Sequence, residues 1–134
     1  MKHKYSKILM NRFLNPKNFG EIKNPDATYE AINPICKDSM KIFLRIKDEK
    51  IANIKFQTIG CAAAIACSDI ACELAKGKKI TDAKKISKTQ ILKKIGNVPE
   101  SKKHCSLLGE IAIKKAIEKY EKDKKMLKKK RKIG

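Results

Sequence analysis

The chain has 134 residues, enough for one domain with a single core and too few for a comfortable second. Lys and Arg number 33 against 14 Asp and Glu, a net charge of +19, yet only Arg12, Arg45 and Arg131 are arginines. The surplus therefore lacks the residue that grips phosphates bidentately and reads bases, which argues against nucleic acid as the main partner.

No run approaches the roughly 18 apolar residues that span a bilayer, and Met1 to Ser6 leads into no signal-peptide core. A cytoplasmic chain without a membrane partner is expected. In that compartment five cysteines are read as thiols, ligands or core fillers rather than disulfides.

In chain order, Ile8, Leu9, Met10, Phe13 and Leu14 recur at helical spacing, so a short amphipathic helix is expected over residues 6–14, ending at Asn15-Pro16. Turn residues then dominate to Asp26, an irregular arm packed by Phe19 and Ile22. Thr28 to Ile32 reads as a strand. Met40, Ile42, Leu44 and Ile46 alternate with polar or aromatic neighbours as a second, and Ile51, Ile54, Phe56 and Ile59 form a third after the polar turn Asp48-Glu49-Lys50. A three-stranded antiparallel meander from about residue 28 to 59 is the economical arrangement.

Gly60 and Cys61 end this run and open an almost wholly apolar helix from Ala62 to Lys76, whose few polar residues include the stripe Asp69, Glu73 and Lys76. This helix is expected in the core across the sheet, capped by Gly77. The chain then predicts short helices near Thr81–Lys84 and Lys88–Ile95, a break at Gly96-Asn97-Val98-Pro99, and a long amphipathic helix that starts near Ser101 and runs through Ile111, Ile117 and Tyr120. The fold class is α+β. Residues 1–121 are taken as the domain and 122–134 as a basic tail, read first as a frayed, solvated helix end and second as a partner or nucleic-acid contact.

Position sorts the five cysteines. Cys36, Cys61 and Cys105 fall at element ends, where loops carry function, while Cys67 and Cys72 lie within the buried helix and are read as core residues. Cys72 is roughly 16 Å along the axis from Cys61, too far to share an ion, and Cys67 is expected to turn away from both. Spacing alone leaves a metal site open, because no local Cys-x-x-Cys knuckle is present. Asp38 and His104 sharpen it as one oxygen and one nitrogen donor beside three thiols. Gly60 is expected to let the backbone turn, and Cys61, at a helix N-terminus, to favour thiolate.

Four ordered motifs carry a resemblance. Asn15-Pro16-Lys17-Asn18-Phe19-Gly20, Asn33-Pro34-Ile35-Cys36-Lys37-Asp38, Gly60-Cys61-Ala62-Ala63-Ala64-Ile65-Ala66 and His104-Cys105-Ser106-Leu107-Leu108-Gly109-Glu110 resemble the IscU / NifU N-terminal family of iron–sulfur cluster assembly scaffolds, from about Tyr5 to Tyr120. The resemblance implies a three-stranded antiparallel sheet with helices packed on it. It also implies a scaffold and carrier rather than an enzyme, on which a cluster is built from iron and desulfurase-derived sulfur and then passed to apo acceptor proteins.

Position by position, the resemblance implies that Cys36, Asp38, Cys61, His104 and Cys105 bind metal and that Cys105 accepts persulfide sulfur. It implies a [2Fe–2S] cluster, with [4Fe–4S] left open and zinc at the same residues as isolated. It further implies a cysteine desulfurase (IscS/NifS-like) as partner, and a monomer or cluster-bridged dimer. Lys37, Lys102 and Lys103 are expected to meet an acidic patch on the desulfurase.

Three departures matter. Lys37 stands where the family usually has glycine, and Val98-Pro99-Glu100-Ser101-Lys102 replaces the segment through which some members meet an Hsp70-type chaperone, leaving that partner open. The short interval from Cys61 to Cys105 lacks the insertion of SufU-like, zinc-dependent sulfur acceptors, which stay as the alternative function; a basic nucleic-acid-binding protein is the lesser one. Three thiolates with a carboxylate or imidazole would hold a cluster less firmly than four thiolates, so that release becomes the function. Cys105 beside His104 is expected to be thiolate enough to attack a persulfide.

Overall fold

The meander is present. The computed structural model describes residues 5–34, 37–96, 98 and 100–133, with the side chains of Ser101 and 128–133 outside that description. Strands β1 (Ala27–Ile32), β2 (Ser39–Lys47) and β3 (Lys50–Ile59) form one antiparallel sheet in the order β1-β2-β3. The alternation in β2 puts Met40, Ile42 and Leu44 on one face, all fully buried. In register they face Ala31, Tyr29 and Ala27 on β1 and Thr58, Phe56 and Ile54 on β3.

The β2–β3 turn is tighter than a three-residue loop. Asp48 and Glu49 alone bridge the strands, at φ of 53° and 62°. Positive φ at both central residues matches the right-handed twist of the flanking strands.

One face of the sheet is covered. Helix α1 (Lys7–Leu14) precedes the strands, and α2 (Ala62–Ala75), α3 (Ile80–Ala83), α4 (Lys88–Ile95) and α5 (Cys105–Ile133) follow them. The apolar helix α2 packs on β3 and α5 on β1 and β2, while α1 and α4 flank α2. Small residues let the two central helices approach closely: a methyl group added at Gly109 of α5 would lie 2.8 Å from the Cβ of Ala71 on α2. Ser6 caps α1 by accepting from the Leu9 N–H at 2.9 Å and donates to the Ile95 carbonyl, tying α1 to the end of α4.

Two expectations change. A single 3₁₀ turn, Glu100–Lys102, occupies the predicted helix start, and α5 begins at Cys105 itself. The helix then continues unbroken to Ile133, through most of the segment taken as a tail. Within the polar stripe of α2, Asp69 is fully buried, Glu73 half-buried and Lys76 exposed. The Asp69 carboxylate accepts from the Asn18 N–H at 2.8 Å, from Asn18 Nδ2 at 3.1 Å and from Arg12 Nη1 at 2.8 Å. Arg12 also pairs with Glu73, which Lys94 reaches at 2.7 Å. That Lys94 hydrogen bond holds the Glu73 carboxyl below its ordinary value.

The anchored arm then runs beside β3. Gly20 N–H donates to the Phe56 carbonyl at 2.9 Å and Phe56 N–H to the Asn18 carbonyl at 3.0 Å, covering that edge of the sheet.

Candidate metal and sulfur site

Three elements converge at one end of the sheet. Ser39 pairs with Ile59, so the residue before β2, Asp38, and the residues after β3, Gly60 and Cys61, are brought side by side by strand register alone. The N-terminus of α5 supplies Cys105 from above.

The ligand atoms of Asp38, Cys61 and Cys105 all lie within 4.8 Å of one another, as a metal ion requires of three donors. Cys61 Sγ is 3.9 Å from Cys105 Sγ, and Cys105 Sγ is 3.9 Å from Asp38 Oδ2. His104 Nε2 is 3.8 Å from Cys105 Sγ, beside the group of three but not one of the atoms that lie within 4.8 Å of one another. The converged donors are two soft sulfurs and a harder carboxylate oxygen, with an imidazole nitrogen beside Cys105, a chemistry that suits iron, zinc or an iron–sulfur unit. Cys36 lies outside the described residues.

Each donor is held by local geometry. Cys61 is the N-cap of α2, with extended backbone and no side-chain capping bond, so its sulfur stays available. Asp38 follows a closed turn in which Lys37 N–H donates to the Asn33 carbonyl at 2.9 Å and Asn33 N–H to the Asp38 carbonyl at 2.8 Å. Lys37 itself sits at φ 65°, in the left-handed region that favours glycine.

Gly60 is needed for space, not for a turn. Its φ is ordinary, but an added Cβ would lie 2.8 Å from that of Ala64 and 3.0 Å from Asp38 Cγ and Oδ2. The carboxylate reaches the thiols only because nothing projects from residue 60.

Exposure is graded across the site. Asp38, Cys61 and His104 are half-buried while Cys105 is buried. Burial, and then the neighbouring Cys61, push the Cys105 thiol well up from its ordinary value. This burial works against the ready thiolate expected from the sequence. Cys67 is also less remote than its helical angle implied. Burial pushes its thiol up to about 12 and the nearby Cys61 adds to the effect. Cys72 is fully buried with its thiol likewise raised, chiefly by burial, and neither joins the donor group.

The three lysines singled out in the sequence flank these donors. Lys37 and Lys103 are exposed and Lys102 is half-buried, while Lys103 pairs with Glu100 at 2.8 Å. Ile32 and Ile59, which both face Ser39 in the sheet, are 58% and 76% exposed on the same rim. No sequence signal marked those isoleucines, since strand residues of their type are usually covered. The Arg12–Asp69–Asn18 anchor was missed too. Its only trace in the sequence was a buried-helix stripe carrying an acid, with an arginine upstream to pair it.

Comparison with known proteins follows the same line. Residues 4–127 match the family described as NifU-like N terminal domain. The chain is 45% identical over 116 residues to the iron-sulfur cluster assembly scaffold protein IscU 1 of Archaeoglobus fulgidus, covering 87% of this chain and 76% of that protein. It is 42% identical over 120 residues to the scaffold protein IscU of Rickettsia prowazekii, covering 87% and 91%. Among solved structures, a nitrogen-fixing NifU-like protein (N-terminal) from Brucella abortus superposes with a TM-score of 0.69 at 19% identity, over 89% of this chain and 95% of that one, which speaks to the fold.

Proposed function

Because this chain belongs to the NifU-like N-terminal domain family, we propose that it is a scaffold on which an iron–sulfur cluster is assembled and from which it passes to apo acceptor proteins. The observation that carries the reading is the meeting of Asp38, Cys61 and Cys105, far apart in sequence, within 4.8 Å at a partly open site. His104 and, from the β1–β2 loop, Cys36 complete the proposed set of donors.

In this reading the cluster is cargo, [2Fe–2S] in the first instance, and weak holding is the purpose. Asp38 is the harder donor and, half-buried, the one suited to release iron first. Cys105 takes the sulfur. After losing its proton, its sulfur attacks the outer sulfur of a donor persulfide; the S–S bond within the donor breaks, and the donor cysteine leaves as thiolate. An external reductant then supplies the electrons that turn this sulfur into sulfide. Because burial disfavours the Cys105 thiolate, the step waits for a partner that removes water and brings charge. The partner is proposed to land on the rim made by Lys37, Lys102, Lys103 and the exposed Ile32 and Ile59, which fits an acidic, partly apolar surface of a cysteine desulfurase. The free thiols of Cys61, Cys67, Cys72 and Cys105 support a reducing, cytoplasmic setting.

Anaerobic reconstitution with ferrous iron, L-cysteine and a cysteine desulfurase tests the reading. The native chain is expected to develop a visible chromophore, and Cys61→Ser and Cys105→Ser to lose more than tenfold of it. Asp38→Cys is expected to retain the chromophore and release it to an apo ferredoxin about tenfold more slowly. Zinc bound tightly without any chromophore would favour the SufU-like sulfur acceptor instead, and an undiminished chromophore in both Ser variants would end the scaffold assignment.

A further inference from the structure

The two sulfurs of the site face each other as well as a metal position. Cys61 Sγ and Cys105 Sγ, from residues 44 apart in the chain, are 3.9 Å from one another, in thiol–thiol contact. Cys61 is half-buried and Cys105 buried, so a small oxidant arriving from solvent meets Cys61 first, with a second sulfur already against it. Neither sulfur is tied to its element. Cys61 is the N-cap of α2 with no side-chain capping bond to break, and Cys105 is the first residue of α5. A disulfide needs Cα atoms about 4.4–6.8 Å apart. Along α2 that rules out the other thiols as partners for Cys61 or for each other: Cys67 lies roughly 9 Å along the axis from Cys61, and Cys72 roughly 7.5 Å beyond Cys67.

We infer that Cys61 and Cys105 are a reversible dithiol–disulfide pair through which a peroxide closes the site. The Cys61 sulfur, after losing its proton, attacks a peroxide oxygen; the O–O bond breaks, water leaves with that proton, and Cys61 becomes a sulfenic acid. The Cys105 sulfur then attacks the Cys61 sulfur. The S–O bond breaks, and the hydroxyl leaves with the Cys105 proton as a second water. In sum two thiols give up two electrons and two protons, and hydrogen peroxide becomes two waters. A dithiol reductant reverses the change by exchange, ending as its own disulfide and returning both thiols. The 3.9 Å contact makes the second step intramolecular and intercepts the sulfenic acid before it climbs to sulfinic acid, which thiols do not restore. Metal is held by thiolates, which a disulfide no longer offers, so two of the three converged donors are withdrawn together and Asp38 remains. The consequence for an iron–sulfur cargo rests on the scaffold reading; the pairing of the two sulfurs does not.

The test treats the full chain, stripped of metal by a chelator and reduced, with hydrogen peroxide in thiol-free buffer, then unfolds and alkylates it for peptide mass spectrometry. The oxidised chain is expected to leave two of its five cysteines unalkylated and to yield one peptide pair joined through Cys61 and Cys105; dithiothreitol should restore all five. Its affinity for zinc in the same buffer should fall at least tenfold and return on reduction. In Cys105→Ser the resolving sulfur is gone, so dimedone should trap the Cys61 sulfenic acid at several times the native level, while Cys67→Ala should still form the cross-link. A cross-link from Cys61 to Cys36 or Cys67, one between two chains through Cys61, or sulfinic acid at Cys61 with no cross-link would each overturn the inference. So would an undiminished zinc affinity in the oxidised chain. These readouts need no cluster: a chain that cross-links but forms no chromophore on reconstitution would sink the scaffold reading and leave the switch standing, and the reverse result would do the opposite.

Discussion

At the scale of single residues, two positions decide whether the donors can meet. Lys37 sits in the left-handed region at a roughly 1 kcal/mol penalty that glycine, the usual family residue there, does not carry. The loop keeps this conformation because its backbone hydrogen bonds to Asn33 and Asp38 close only that way. Gly60 is stricter, since an added methyl group meets Ala64 and the Asp38 carboxylate at 3.0 Å or less. Gly60→Ala is expected to lower stability by about 1–3 kcal/mol in urea unfolding and to move the carboxylate off the thiols, with a matching loss of reconstituted chromophore. A stable variant with undiminished chromophore would show that the close approach of Asp38 is dispensable. Both glycine-demanding positions were visible in the sequence, Lys37 as a departure and Gly60 as a junction. The reason at Gly60 was not, because a clash between residues 38 and 60 exists only after β2 and β3 have paired.

At the scale of elements, strand pairing and helix docking each supply one side of the site. The β2–β3 register puts Asp38 beside Gly60, and the contact of Gly109 with Ala71 seats α5 so that its first residue reaches Cys61. The helices are in turn locked by the buried Asp69, which joins α1, the arm and α2 through Arg12 and Asn18. Removing Asp69 leaves the buried Asn18 N–H without its acceptor and Arg12 with Glu73 as its remaining partner. Asp69→Ala is expected to lose roughly 3–5 kcal/mol in urea unfolding and to speed hydrogen exchange at Phe56 and Gly20, whose amides bond the arm to β3. Asp69→Asn, which can still accept from the Asn18 amide, should lose less. Exchange at those amides left unchanged in Asp69→Ala would mean that the arm is held by Phe19 against Phe56 instead. Period-2 alternation made the strands legible, and four-residue spacing the helices. A buried ion pair between residues 57 apart leaves no periodic trace, which is why the stripe on α2 could be seen but its burial could not.

At the scale of the whole molecule, the buried thiols tie stability to pH. Burial raises Cys67 to about 12 and Cys72 well above its ordinary value, whereas in the unfolded chain both titrate near 9. Above about pH 9 the folded protein therefore binds more protons than the unfolded one, and stability falls as pH rises, by up to about 1.4 kcal/mol per pH unit for each thiol. Urea unfolding between pH 8.5 and 10, below the main lysine titration, should show this slope, and Cys72→Ala should flatten it; a flat profile in the native chain would place that thiol in a more polar setting than its burial indicates. No helix among the described residues is long and apolar enough to cross a membrane. By itself the sequence determined the α+β class, the meander and the family, because periodicity and local motif spacing are properties of neighbouring residues. Only the tertiary structure decided that Asp38, Cys61 and Cys105 share one place with His104 beside Cys105, that Cys105 is buried, and that Met126 and Leu127 near the end of the last helix are exposed. Distance, desolvation and exposure arise between segments far apart in the chain, and no local pattern encodes them.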